Sequence, residues 1–238
     1  MIGNWNWGSE MDDLAIMPYT QYWGKTGSGE GAKFHYLAYH SLDVAYAAKA
    51  WWSCSRRLFK ILHHVTNGAL DEARLQAWVL FFIALHDLGK WDVRFQLKAP
   101  EVFRIVRPDF CYEDCLETPA SVKKFDHGSA GFHSFFRDQP ERCTDNETSI
   151  WLSAVTGHHG TLVSGTGAFY DPDPEADDSL IEQDKSARRA WVKEMERMFL
   201  QPAGLSLSQG PPQLSTTGQL FLAGFCSVAD WIASQNTF

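Results

Sequence analysis

Histidines and aspartates that stand out against apolar surroundings carry the chemistry of this sequence. In His86–Asp87–Leu88–Gly89–Lys90 an imidazole, a carboxylate and an ammonium fall within five residues, and almost everything before them back to Leu75 is apolar. A helix apolar on all sides belongs inside a globule. Polar groups at its end must then be hydrogen-bonded together or bound to a metal, because burying them unpaired is costly. Asp87 has two oxygens and could join two divalent ions roughly 3.5–4 Å apart, the spacing of two-metal hydrolytic sites. His86 would ligate one of them. Lys90 follows His86 by four residues and Asp87 by three, which returns it to the same side of a helix.

Other segments add similar residues. His40 lies in a helical pattern with Leu37, Val44 and Ala47 on its side, and Asp43 one turn on could orient it. His127 opens a short helix, and the small residues after it allow close approach to another element. His158 and His159 are adjacent and stand between Gly157 and Gly160, which let the backbone turn so that both rings converge. Asp230 is the single charge of an otherwise apolar helix and needs a partner. Each has an ordinary structural explanation on its own: a core histidine, a capping region, a solvated loop pair. Jointly they supply five imidazoles and two carboxylates, enough for two ions bridged by Asp87. Coordination positions would remain open for water and substrate, as in catalytic sites.

The elements that must position them read as helices. Periodicity predicts helices over 34–52, 67–91, 127–136, 149–156, 182–200 and 220–233. Residues 92–120 read as irregular, 137–148 as a polar loop and 171–178 as a solvated acidic loop. His35, His63 and His64 read as surface or helix-end residues, and His133 as part of its helix. No strand-like alternation stands out. Residues 1–32 form a flexible N-terminal segment in which Tyr22–Trp23–Gly24–Lys25 packs on the domain, and residues 33–238 form a single all-α domain.

The totals agree with that reading. A chain of 238 residues with 45% hydrophobic content and ten tryptophans can bury one large core. No apolar run reaches the roughly 18 residues of a membrane span, and no secretory signal follows Met1. Five unpaired-looking cysteines suit a reduced, cytoplasmic protein. The net charge of −8 argues against strong independent nucleic-acid binding. It does not exclude a nuclease whose substrate other modules deliver, since bound divalent ions reverse the local field.

The order His, His-Asp, His, His-His, Asp resembles the HD metal-dependent phosphohydrolase superfamily. Residues 40–45, 81–90, 155–160 and 223–231, together with Tyr22–Trp23–Gly24–Lys25, resemble the N-terminal HD nuclease domain of Cas3, nearest the type I-E CRISPR branch. That resemblance runs from about residue 20 to the end. It implies a helical HD-domain bundle around a two-metal site. His40, His86, Asp87 and Asp230 would hold one ion and Asp87, His127, His158 and His159 the other, while Lys90 contacts the scissile phosphate. Mixed imidazole and carboxylate ligands suit Mn, Fe, Co, Ni or Zn, with Mg as a further candidate. The implied activity is endo- or exonucleolytic cleavage of single-stranded DNA in CRISPR interference. The implied partners are a Cas3 helicase, a type I Cascade complex and an anti-CRISPR inhibitor, with no membrane. No phosphate-cradling glycine-rich loop occurs, so a helicase would be another domain or another chain. An HD nucleotidase or cyclic-nucleotide phosphodiesterase would use the same ligands. A metal-free HD binding module is disfavoured because no ligand position is missing, and purely structural histidines are the remaining alternative.

Overall fold

The computed structural model describes residues 17–27, 34–108, 119–139, 146–163 and 178–235. At its centre lies α3 (Glu72–Ile83), whose sequence leaves no polar face after its first turn: every side chain from Ala77 to Ile83 is buried. Asp71 caps its N-terminus by accepting from the Arg74 amide at 2.9 Å, which satisfies one of the free first-turn donors. Around it pack α1 (Leu37–Cys54), α2 (Arg56–Val65), α8 (Asn146–Thr156) and the π-helical turn Glu196–Leu200 that continues α9 (Asp178–Met195). The last helix, α10 (Thr216–Ser234), closes the bundle against α1 and α8. Phe82 of α3 packs on Trp151 of α8 with ring centroids 5.4 Å apart, and Trp191 of α9 packs on Trp91 at 5.0 Å.

A second, smaller core gathers Trp23, Val93, Phe95, Phe103 and Phe125 beside the first. It is built by α4 (Val93–Gln96) and α5 (Pro100–Val106), with α6 (Pro119–Lys124) following. Residues 92–120 thus contain short helices where the sequence suggested irregular chain. Asp92 caps α4, and Pro100 occupies the first turn of α5, where its missing N–H costs nothing.

The all-α expectation holds with one addition, a two-stranded antiparallel sheet of β1 (Trp23–Thr26) and β2 (Phe34–Tyr36). Strands of four and three residues, with the register broken between Trp23 and Lys25, are too short to display a period of two. Gly24 lets β1 lie on α1, since a Cβ there would meet the Leu37 Cα at 2.9 Å. Tyr22 and Trp23 are buried, so the N-terminal segment is anchored from Pro18 to Thr26. Residues 1–16 and the acidic loop at 171–177 lie outside the described residues, as do Cys111, Cys115 and Cys143. Among the described residues no helix is long and apolar enough to cross a membrane.

The central helix is shorter than its pattern. It ends at Ile83 rather than running to Trp91, and the chain continues in three-residue turns: Leu85, His86, Leu88 and Lys90 amides bond carbonyls three residues back. The reason is a close contact. Gly89 lies so near α7 (His127–Asp138) that a Cβ would sit 2.0 Å from the His127 carbonyl oxygen, and one on Gly131 would sit 2.7 Å from the Gly89 amide. A continued α-helix would turn this segment away from that contact. His86 and Asp87 therefore stand on a buried turn, not on the helix.

Candidate metal centre

Five elements converge on the Asp87 carboxylate. His40 comes from the buried face of α1, His86 and Asp87 from the turn after α3, and His127 from the first residue of α7. His158 and His159 follow the end of α8, and Asp230 lies near the end of α10. The two Asp87 oxygens face different sides. Oδ2 lies 3.2 Å from His40 Nε2 and 3.2 Å from His86 Nε2, whereas Oδ1 lies 3.3 Å from His127 Nε2. His40 Nε2 is also 3.3 Å from Asp230 Oδ1, and His127 Nε2 is 3.1 Å from His159 Nε2. The His86 and His158 rings lie 5.0 Å apart between the two sides.

Two sets of donor atoms result. His40, His86 and Asp230 form one, and His127, His158 and His159 form the other; in each, the candidate ligand atoms lie within 4.8 Å of one another. His86, Asp87 and His158 form a third such group that joins them. All seven residues singled out by sequence are together. Asp43 is not: it pairs with His35 at 2.8 Å and leaves His40 to the centre. Asp43 is half exposed and reaches the strand β2 beside it, which the one-turn spacing could not indicate.

The hydrogen bonds behind the rings fix which nitrogen faces inward. His86 Nδ1 donates to the Ile83 carbonyl at 2.9 Å and His158 Nδ1 to the Val155 carbonyl at 2.8 Å. A carbonyl only accepts, so Nδ1 carries the proton and Nε2 offers a lone pair, the arrangement of metal-bound imidazoles. Burial, then the neighbouring His86, pushes the pKa of His158 down to about 3, which keeps its ring neutral. Burial pushes the Asp87 carboxyl up, but His86 and Lys90 more than offset this and hold it well below the usual carboxylate range. Asp230 behaves alike: burial raises it, and the His40 contact, the neighbouring His86 ring and the Lys25 ammonium hold it below that range.

Divalent cations fit this donor set. His40 Nε2, His86 Nε2 and Asp87 Oδ1 are buried without a hydrogen bond, and Asp87 Oδ2 has only the Lys90 ammonium against it. On His86 and Asp87 a nitrogen lone pair faces a carboxylate oxygen at 3.2 Å. Such atoms are costly unless something cationic lies between them.

Lys90, singled out by sequence, reaches the centre, and several supports that escaped sequence reasoning surround it. Lys90 Nζ lies 2.7 Å from Asp87 Oδ2 and donates to the Gly24 carbonyl at 3.2 Å. Gln96 holds β1 to the metal turn, accepting from the Trp23 amide at 3.0 Å and donating to the Trp23 and Lys90 carbonyls at 2.9 Å each. Lys25 Nζ pairs with Asp230 at 3.0 Å, and the Ser227 hydroxyl donates to the His158 carbonyl. Apart from Lys90, the only sequence signal was the Tyr22–Lys25 segment; Gln96 and Ser227 bridge parts of the chain with no shared pattern.

Known proteins place this arrangement. The family model described as "Cas3, HD domain" matches residues 23–238. The chain is 38% identical over 91% of its length to the CRISPR-associated endonuclease/helicase Cas3 of Escherichia coli (strain K12), and spans about a quarter (26%) of that relative. Its structure resembles T. fusca Cas3 with a TM-score of 0.63 at 21% identity, covering 91% of this chain and 23% of that one. It also resembles the Thermus thermophilus cas3 HD domain solved in the presence of Ni2+, with a TM-score of 0.57 at 22% identity, covering 92% and 77% of the two chains. A helical fold in which five elements deliver five histidines and two aspartates to one point, matched along nine-tenths of its length, makes this chain a member of the Cas3 HD domain family.

Proposed function

We propose that this domain is the nuclease of a CRISPR interference machine and hydrolyses phosphodiester bonds of single-stranded DNA. The observation that carries the reading is the pair of ligand sets joined through Asp87, in a chain 38% identical to an endonuclease/helicase. His40, His86, Asp87 and Asp230 would hold one divalent ion, and Asp87, His127, His158 and His159 the other. The mixed donor set suits Mn, Fe, Co, Ni or Zn, with Mg as a further candidate, and the T. thermophilus relative was solved in the presence of Ni2+. When bound, two such ions supply a Lewis acid and a water of lowered pKa for in-line attack on phosphorus.

The chain's own groups do the rest. Asp87 keeps its charge, and His86 and His158 keep their Nε2 lone pairs turned inward. Lys90, which cannot be a ligand while protonated, stands beside Asp87 to contact a non-bridging oxygen of the scissile phosphate and balance its developing charge. His159 is exposed while His40 and His86 are buried, so substrate reaches the centre from the His127–His159 side. Residues 33–238 form the nuclease unit. The helicase, a Cascade-type complex and an anti-CRISPR inhibitor are its proposed partners, with DNA delivered by the first two, which reconciles a −8 domain with an anionic substrate. The free thiols of Cys54 and Cys226 suit a reducing compartment.

The test is cleavage of an end-labelled single-stranded oligonucleotide after chelation and after adding back Mn, Co or Ni, beside nucleoside mono- and triphosphates and a cyclic nucleotide. The expected result is metal-restored DNA cleavage. Rapid hydrolysis of the nucleotides with inert DNA would assign the site to a small-molecule phosphohydrolase instead.

A further inference from the structure

The solvent side of the centre carries a cation that neither the ligand sets nor the fold accounts for. Phe95 of α4 packs its ring 5.5 Å from the ring of His127. Two ammonium groups sit over that one ring, Lys90 Nζ at 5.2 Å and Lys98 Nζ at 5.5 Å from its centroid. Lys90 is ion-paired with Asp87 at 2.7 Å. Lys98 is exposed, and among the described residues its hydrogen bond goes to the Phe125 carbonyl at 2.8 Å, with no carboxylate in ion-pair range. The nearby acid, Asp126, is engaged in capping α7, accepting from the Gly128 amide at 3.0 Å and the Ser129 hydroxyl at 2.7 Å.

Lys98 is therefore not a freely swinging surface lysine. The Phe125 carbonyl and the rings of Phe95 and Phe125, the latter with its centroid 5.9 Å from Nζ, hold its ammonium at the rim. A cation over an aromatic face is attracted to it, yet a second cation against the same ring opposes that gain. Burial lowers the Lys98 pKa; Asp126 counters this, and the Lys90 charge adds to it, so the two ammonium groups feel each other. Two like charges held close, one of them unpaired, are relieved when an anion lies across both. Lys123 and Lys124 are exposed at the end of α6, immediately before Phe125, and extend the positive rim in an otherwise acidic chain.

The opposite end of the centre is closed to such a contact. There Lys25 is already occupied by Asp230 and Ser234, and His40 is buried. We propose that Lys98 binds the phosphate adjacent to the scissile one, on the part of the strand that passes out beside His127 and His159. This deepens the single-stranded-DNA reading above and rests on it. An ammonium on a phosphate carries no base information, so the contact positions the strand without selecting sequence.

The test uses the full chain loaded with Mn2+ and two substrates: a single-stranded oligonucleotide, made in two unrelated sequences, and bis(p-nitrophenyl) phosphate, which has no flanking phosphate. Lys98→Ala is expected to shrink the preference for oligonucleotide over ester about fivefold through KM, equally for both sequences. The slope of log KM against log salt should fall by about 0.7, the contribution of one phosphate contact on a single strand. Lys98→Arg should restore both quantities, because it returns the charge. A merely structural lysine would lower both substrates together and leave their ratio alone. Wild-type chain that cleaves DNA, with ratio and salt slope unaltered in Lys98→Ala, would overturn this proposal by itself. Wild-type chain that hydrolyses the ester and leaves DNA intact would overturn the parent reading, and this proposal with it.

Discussion

The two halves of the metal centre differ in how they are held. His40, His86 and Asp87 are about as buried as the apolar core around them, at 1%, 0% and 1% exposure. In the other set His158 is also buried, at 5%. His127 is partly exposed, as Asp230 is in the first set, and only His159 is fully exposed, on a short segment bordered by glycines. The inner half is thus an extension of the core: its imidazoles sit among α1, α3 and α10, and their position follows from the same packing that folds the domain. The outer half opens at His159, where water and a phosphodiester would reach the proposed ions. A catalytic centre needs both properties, and here they are divided between two ligand sets that share one carboxylate.

That division can be broken at its shared member. Asp87→Ala removes the group facing both sets, and cleavage is expected to fall on the order of 10³-fold or more, measured as single-turnover rate at saturating Mn2+. Gly89→Ala attacks the contact that aligns the halves. A Cβ 2.0 Å from the His127 carbonyl and 2.6 Å from the Gly131 amide cannot be accommodated without parting the turn from α7. Loss of roughly 3 kcal/mol or more is expected in urea unfolding, together with loss of the ion on the His127 side.

Smaller changes sharpen the contrast. His40→Ala leaves Asp87 and Asp230 without their shared neighbour inside the core, and is expected to cost about 2–4 kcal/mol in metal-free protein. His159→Ala, at an exposed position, should stay within about 0.5 kcal/mol of wild type while cleavage still drops. Equal destabilisation by the two would remove the distinction between the halves. The mildest expected effect is at Lys25. Its pair with Asp230 is partly solvated, so Lys25→Ala should change stability by about 1 kcal/mol or less and keep both ions bound, as seen by unfolding and elemental analysis.

How much of this was legible in the sequence follows the same line. The converging residues could be read because each is a polar residue out of place: Asp230 in an apolar helix, His86–Asp87 after an all-apolar one, His158–His159 between glycines. Periodicity also found α1, α3, α7, α8, α9 and α10. It missed the end of α3, because residues 84–88 are as buried as the helix before them and carry no Gly or Pro to mark a stop, and only the contact of Gly89 with α7 dictates the turn. The sheet was missed for want of length. Gln96, Lys25 and Ser227 were missed because their partners lie 73, 205 and 69 residues away, and no local pattern announces a hydrogen bond of that span.

Metal stoichiometry decides the central claim, that one carboxylate joins two sites. Wild type, His40→Ala, His159→Ala and Asp87→Ala would each be loaded with Mn2+, desalted and analysed for metal per chain. Two ions in wild type, one in each histidine variant and fewer than one in Asp87→Ala is the predicted pattern. An Asp87→Ala chain that retained two ions would contradict it.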